Sequence, residues 1–116
     1  MLRAMASSGG RVVCPRLAVA DRPLARMRGL LGRSDIEPDE GLLLKPAASV
    51  HTAFMRFPID VVFLDASMRV LDVRSGLPPW RLAACRRAKA VLEMRAGEAV
   101  RRGVVPGARV MLHDRP

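Results

Sequence analysis

From Gly41 onward the apolar residues come in short runs, broken again and again by glycine, proline and polar clusters. That spacing fits strands and leaves no room for long helices. Leu42-Leu43-Leu44 reads as a short buried strand, Ser49 to Met55 as a second, Ile59 to Leu64 as a third, Arg69 to Arg74 as a fourth and Ala90 to Met94 as a fifth. Only Asp65 to Met68 separate the third from the fourth, which predicts an antiparallel hairpin. Gly76-Leu77-Pro78-Pro79-Trp80 reads as a non-helical loop, since neither proline can donate a ladder bond. Gly97 to Gly103 reads as a short helix or turn, and Val104 to Leu112 holds a Pro106-Gly107 turn and a last strand.

The chain before Gly41 is patterned differently. Residues 1–10, ending in Ser7-Ser8-Gly9-Gly10, read as a flexible tail with no apolar stretch of the kind a secretory signal needs. Arg11 to Ala20 alternates loosely around Pro15, which predicts an edge strand. Asp21-Arg22-Pro23 has the chemistry of a helix start, and Leu24, Met27, Leu30 and Leu31 then fall on one stripe, so a helix is expected over Pro23 to Leu31. Gly32 suits its end, and Ser34 to Glu40 is a polar loop. The expected fold is α+β: one compact, β-rich, barrel-like and mostly antiparallel domain over residues 11–116, with one N-terminal helix and a short C-terminal helical turn.

Half of the 116 residues are apolar, enough for a core, but aromatics are only 3%, so aliphatic side chains and methionine must fill it. No apolar run approaches the roughly 20 residues that span a bilayer, and no membrane partner is expected. Cys14 and Cys85 make neither a disulfide framework nor a zinc set; two reduced thiols in a cytoplasmic monomer is the reading adopted. The net charge of +9 is almost all arginine, scattered along the sequence with only short pairs such as Arg86-Arg87 and Arg101-Arg102. Scattered arginines read as solvated surface rather than as a specific nucleic-acid site, which would cluster charge or interleave it with stacking aromatics.

The stretch His51-Thr52-Ala53-Phe54-Met55-Arg56-Phe57-Pro58-Ile59-Asp60-Val61-Val62-Phe63-Leu64-Asp65 resembles the family called domain of unknown function 192. The likeness continues upstream through Arg28-Gly29-Leu30-Leu31-Gly32-Arg33 and Gly41-Leu42-Leu43-Leu44. Downstream it takes in Ala90-Val91-Leu92-Glu93-Met94, Ala96-Gly97, Gly103 and Gly107. The resemblance implies a compact β-rich domain with a helix near its start, and no established activity. This chain departs from the family's pattern at three points. Pro46-Ala47-Ala48 lacks the cysteine that often precedes the histidine, so no thiol role carries over. Ser67-Met68 stands where the hairpin often turns on Asp-Gly, and Gly107-Ala108 stands in place of Gly-Asp.

The candidate binding residues are His51, Thr52, Met55, Asp60 and Trp80; no catalytic residue, metal or cofactor is assigned. His51 and Met55 carry copper-type ligands, but four residues along a strand put them about 13 Å apart, too far for one ion. A hydrogen-bonded structural histidine is preferred. Asp60, between strong strand formers, reads as a satisfied buried carboxylate that fixes the Phe57-Pro58 turn, with an acid–base group as the alternative. Trp80 is either an exposed anchor for a partner or a lid on the core. Cys85 precedes two arginines that would favour its thiolate, yet no histidine or acid is placed beside it. The sequence holds no glycine-rich phosphate loop, GxSxG elbow or HExxH pattern. Three functions follow. The first is a non-enzymatic binding or accessory module, using a surface from the His51–Met55 strand and the Gly76–Trp80 loop to hold an unidentified ligand or protein partner. The second is a small enzyme using His51 with Asp60, and the third a weak electrostatic binder of nucleic acid.

Overall fold

The computed structural model describes residues 2–22, 30 and 32–114. Nine strands are described: β1 (Leu2–Ser8), β2 (Arg11–Ala20), β3 (Glu40–Leu44), β4 (Ser49–His51), β5 (Ile59–Leu64), β6 (Val70–Leu77), β7 (Leu82–Ala84), β8 (Ala90–Arg95) and β9 (Met111–Asp114). The helix among the described residues is α1, Glu98–Arg101. The helix expected over Pro23 to Leu31 lies outside the described residues apart from Leu30.

A seven-stranded sheet runs in the order β6-β5-β8-β3-β2-β1-β9 and curls into a half-barrel, while β4 and β7 form a separate two-stranded sheet. Every pairing is antiparallel except β2 with β3. The central strands are buried on both faces, as their unbroken apolar runs demand. Along β5, Val62 and Leu64 join a core with Leu17, Leu43, Leu92 and Met94, closed by Ala99 of α1 and by Val104 and Val110. On the opposite face Ile59, Val61 and Phe63 join Leu42, Leu44 and Val91 under a cover of Ile36, Val50, Met55, Phe57 and Ala83. A β-carbon on Gly41 would collide with the Cys14 sulfur, so only glycine lets β3 lie this close to β2.

Several expectations need correction. Within the expected tail of residues 1–10, Leu2–Ser8 instead pairs with β2 in a hairpin whose register closes Ser8 on Arg11. Gly9 (φ 58°) and Gly10 (φ 80°) make its turn, the pair of positive φ angles that tight hairpins favour. The strand β2 is internal rather than an edge, lying between β3 and β1. Its proline sits at a shift in register between Ala4–Leu17 and Ala6–Cys14, where no ladder donor is needed. The strand expected over Ser49 to Met55 ends at His51, because Thr52 turns the chain by accepting from the Met55 amide. The loop expected from Gly76 begins at Pro78, since β6 runs on to Leu77. The β5–β6 hairpin turns on Asp65, whose Oδ1 accepts from the Ser67 and Arg69 amides, and this holds Met68 at φ 66° without an Asp-Gly pair.

Candidate functional site

The small sheet alternates strictly. Val50 of β4 and Ala83 of β7 point into the core, which leaves Ser49, His51, Leu82 and Ala84 outside. His51 and Leu82 are direct cross-strand partners, and Leu82 is 75% exposed. Beyond this pair both chains leave the sheet at Thr52, which is fully buried. Its amide donates to Arg81 O (2.8 Å), and its carbonyl accepts from Met55 N (3.1 Å) and Trp80 N (3.0 Å). Its hydroxyl donates to Pro78 O (2.7 Å) and accepts from Arg81 N (2.8 Å). One side chain therefore clamps two loops together.

What the clamp presents is an aromatic pair. The Phe54 and Trp80 rings meet edge to face with centroids 4.6 Å apart, yet their side chains stay 72% and 61% exposed. Both residues sit at φ 65°, in the left-handed region that bulky L-residues avoid at a cost of about 1–2 kcal/mol each. Strain that carries large apolar side chains out into water does nothing for the core. Such outliers concentrate where a chain touches something else.

The two buried carboxylates have opposite surroundings. Asp60 is fully buried, with Oδ1 accepting from Gly76 N (2.8 Å) and Oδ2 accepting from Gly97 N and Ala99 N (3.0 Å each). It ties the end of β6 and the first amides of α1 to β5. It is structural, as preferred, but it does not fix the Phe57-Pro58 turn. Glu93, in the middle of β8, is 5% exposed and faces the side of its cross-strand partners Leu42 and Val61. No described residue hydrogen-bonds or ion-pairs with its carboxylate. Burial alone pushes its pKa up to about 7.

The sequence-derived candidates separate accordingly. His51 and Trp80 are exposed at the edge of the small sheet, Thr52 is the clamp beneath them, Met55 is buried in the core, and Asp60 lies under the other sheet face. The expected hydrogen bond to His51 is not made among the described residues. His51 points outward and Met55 inward, so they share no ligand position. No cluster of three His, Cys, Asp or Glu side chains suited to a metal occurs among the described residues. Both cysteines are free, and burial pushes the Cys14 thiol up to about 12, so it stays protonated. Sequence reading missed Phe54, Leu82 and Glu93. Phe54 lay in the strand expected over Ser49 to Met55, Leu82 lay in no expected element, and Glu93 lay in the strand expected over Ala90 to Met94 without being singled out.

The family model for DUF192, described as uncharacterised ACR, matches residues 4–112. The chain belongs to the DUF192 family. A UPF0127 protein of Thermococcus sibiricus is 37% identical over 79 residues, covering 62% of this chain and 49% of that protein. A UPF0127 protein of Pyrococcus horikoshii is 54% identical over 35 residues, 30% of each. The chain thus spans about half or less of the curated relatives it matches. Two solved structures share the DUF192 fold seen here. One, a protein of unknown function from Novosphingobium aromaticivorans, superposes with a TM-score of 0.80 at 23% identity, over 94% of this chain and 83% of that one. The other, a Sinorhizobium meliloti protein with a provisional transcription-regulator label, has a TM-score of 0.83 at 24% identity, over 95% and 92%. No helix among the described residues is long and apolar enough to cross a membrane.

Proposed function

We propose that this DUF192 domain is a non-enzymatic binding module whose contact surface is the crest formed by Phe54, Trp80 and Leu82 at the end of the small sheet, with His51 beside Leu82. The observation that carries the reading is the pair of exposed aromatic rings held at positive φ by a buried threonine. Rigid, pre-oriented aromatic side chains are what an interface anchor needs, because little conformational freedom is then lost on binding. The enzyme alternative has less support. His51 stands outside the small sheet, and both Asp60 oxygens are occupied by backbone amides on the far side of the large one. The transcription-regulator label belongs to the Sinorhizobium protein, and likeness at that identity speaks for fold alone.

The test is site-specific photocrosslinking in cells, with a benzophenone side chain placed at Phe54, at Leu82 or at the equally apolar, half-exposed Val105. The proposal expects discrete adducts from the first two positions and none from Val105. Equal labelling at all three would refute it.

A further inference from the structure

The charge around the crest is one-sided. Residues 41–59 and 73–92, which contain β4, β7 and both crest loops, include Lys45, Arg56, Arg74, Arg81, Arg86, Arg87 and Lys89 but no aspartate or glutamate. Arg74 pairs with Asp72 on its own strand. The other six are exposed and make no ion pair among the described residues. Elsewhere several arginines pair with neighbouring acids, Arg16 with Asp39, Arg33 with Glu40, and Arg101 and Arg102 with Glu98, while Arg11, Arg69 and Arg109 donate to backbone carbonyls. The segments that display the aromatic pair thus combine unpaired cations with a complete lack of acids. At the other end of β7 from the crest, where Lys89 N donates to Leu64 O, Arg87 and Lys89 line an open cleft of about 350 Å³ with Asp65, Ala66, Ser67 and Leu71. Asp65 is the one acid in that lining, and its Oδ1 is already held by Ser67 and Arg69.

We infer that the partner of this crest is an acidic protein segment: a large apolar side chain seated against Phe54, Trp80 and Leu82, with flanking carboxylates on the surrounding arginines. This rests on the crest being a binding surface and adds the chemistry of what binds. Apolar contact supplies an anchor, and complementary charge supplies steering and orientation. Leu82 weighs against single-stranded nucleic acid. That ligand would use ring faces for stacking, whereas the exposed Leu82 opposite His51 offers only aliphatic contact.

Display selection of random dodecapeptides on the full chain tests this, with the Phe54→Ser/Trp80→Ser variant and the Arg81→Ser/Arg86→Ser variant run in parallel. Trp80 is the only tryptophan, so its emission reports directly on occupancy of the crest. The inference expects winning peptides that combine a large apolar residue with several Asp or Glu, and that blue-shift Trp80. Their binding should weaken about tenfold between low and physiological salt. It should fall for both variants while the variants' melting curves stay close to the parent's. Uncharged apolar winners that still require Phe54 and Trp80 would overturn the acidic partner but leave the binding surface standing. Winners indifferent to the aromatic variant would overturn both. A Trp80 shift produced by polyuridylate or by phosphatidylglycerol vesicles, with no peptide selected, would also overturn the acidic protein segment.

Discussion

The two ends of this molecule handle charge and apolar surface in opposite ways. Around residues 33–40, Arg33 meets Glu40 in a two-pronged contact, Arg16 grips Asp39, and Arg102 reaches both Glu98 and the Pro38 carbonyl. Hydrogen bonds from Arg16, from Arg33, and from Arg101 with Arg102 hold the Asp39, Glu40 and Glu98 carboxyls, in that order, below their ordinary values, and Ile36 is buried beneath the loop. That end is closed upon itself. At the β4–β7 end every cation but Arg74 lacks an ion pair among the described residues, and Phe54, Trp80 and Leu82 stand in water. A chain that satisfies its groups so fully in one place and leaves them open in another has placed its free chemistry where contact is made. The difference separates residues that serve the fold from residues that serve display, and each substitution below falls on one side of that line.

The largest effect is expected at Asp60, the most fully used side chain of the closed kind. Asp60→Ala strands three backbone donors, the Ala99 amide fully buried and those of Gly76 and Gly97 partly so, at a cost of about 3 kcal/mol. Thermal unfolding should show a drop in Tm above about 10 °C, while His51→Ala, on the open side, melts close to the parent. An Asp60→Ala protein that melts like the parent would erase the distinction.

Glu93 sharpens the comparison from the other direction, as a largely buried carboxylate with no partner among the described residues. Its folded pKa of about 7 lies above the ordinary 4.5 because of burial. Below about pH 4.5 both folded and unfolded chains hold the proton, so the site contributes no difference. As pH rises, the unfolded chain releases the proton first, and stability falls until the folded carboxyl also ionises near pH 7. Glu93→Gln should therefore be more stable than the parent at pH 8, by about 3 kcal/mol, and indistinguishable from it near pH 4.5. Urea titrations across that range check the sign. A destabilised Glu93→Gln at pH 8 would mean that the carboxylate has a partner.

Thr52→Val keeps the shape of the clamp and removes its hydroxyl, leaving the Arg81 amide and the Pro78 carbonyl unmatched at a cost of about 2 kcal/mol. The same variant should free the two loops, seen as faster amide exchange at Trp80 and Arg81. Unchanged exchange would show that the aromatic pair needs no clamp.

How far these two classes could be read from the sequence differs by position. The unbroken run Ile59 to Leu64 could only be a strand buried on both sides, and Asp60 within it had to be satisfied, although its partners, sixteen and more residues away, could not be named. The Gly9-Gly10 turn was a legible hairpin signal, but serine-rich surroundings disguised it as a tail. Strand β7 was illegible because three residues after a double proline carry no period. The crest was half legible. Trp80 stood out as a lone tryptophan beside prolines. Phe54 passed for one more residue of an expected strand and Leu82 drew no reading at all, until positive φ at one and strand alternation at the other turned them outward. The one-sided charge was invisible for a similar reason. Arginines scattered along the chain become a lobe only when β4 pairs with β7 across thirty residues.

The smallest expected effect bears most directly on the central claim, that the crest exists for display and not for folding. The Phe54→Ser/Trp80→Ser protein loses an exposed ring contact worth about 1 kcal/mol and gains nothing in the core. Its melting curve at neutral pH, followed by circular dichroism beside the parent's, should shift by less than about 5 °C. A cooperative loss of Tm comparable to that of Asp60→Ala would contradict the account and make the aromatic pair part of the fold.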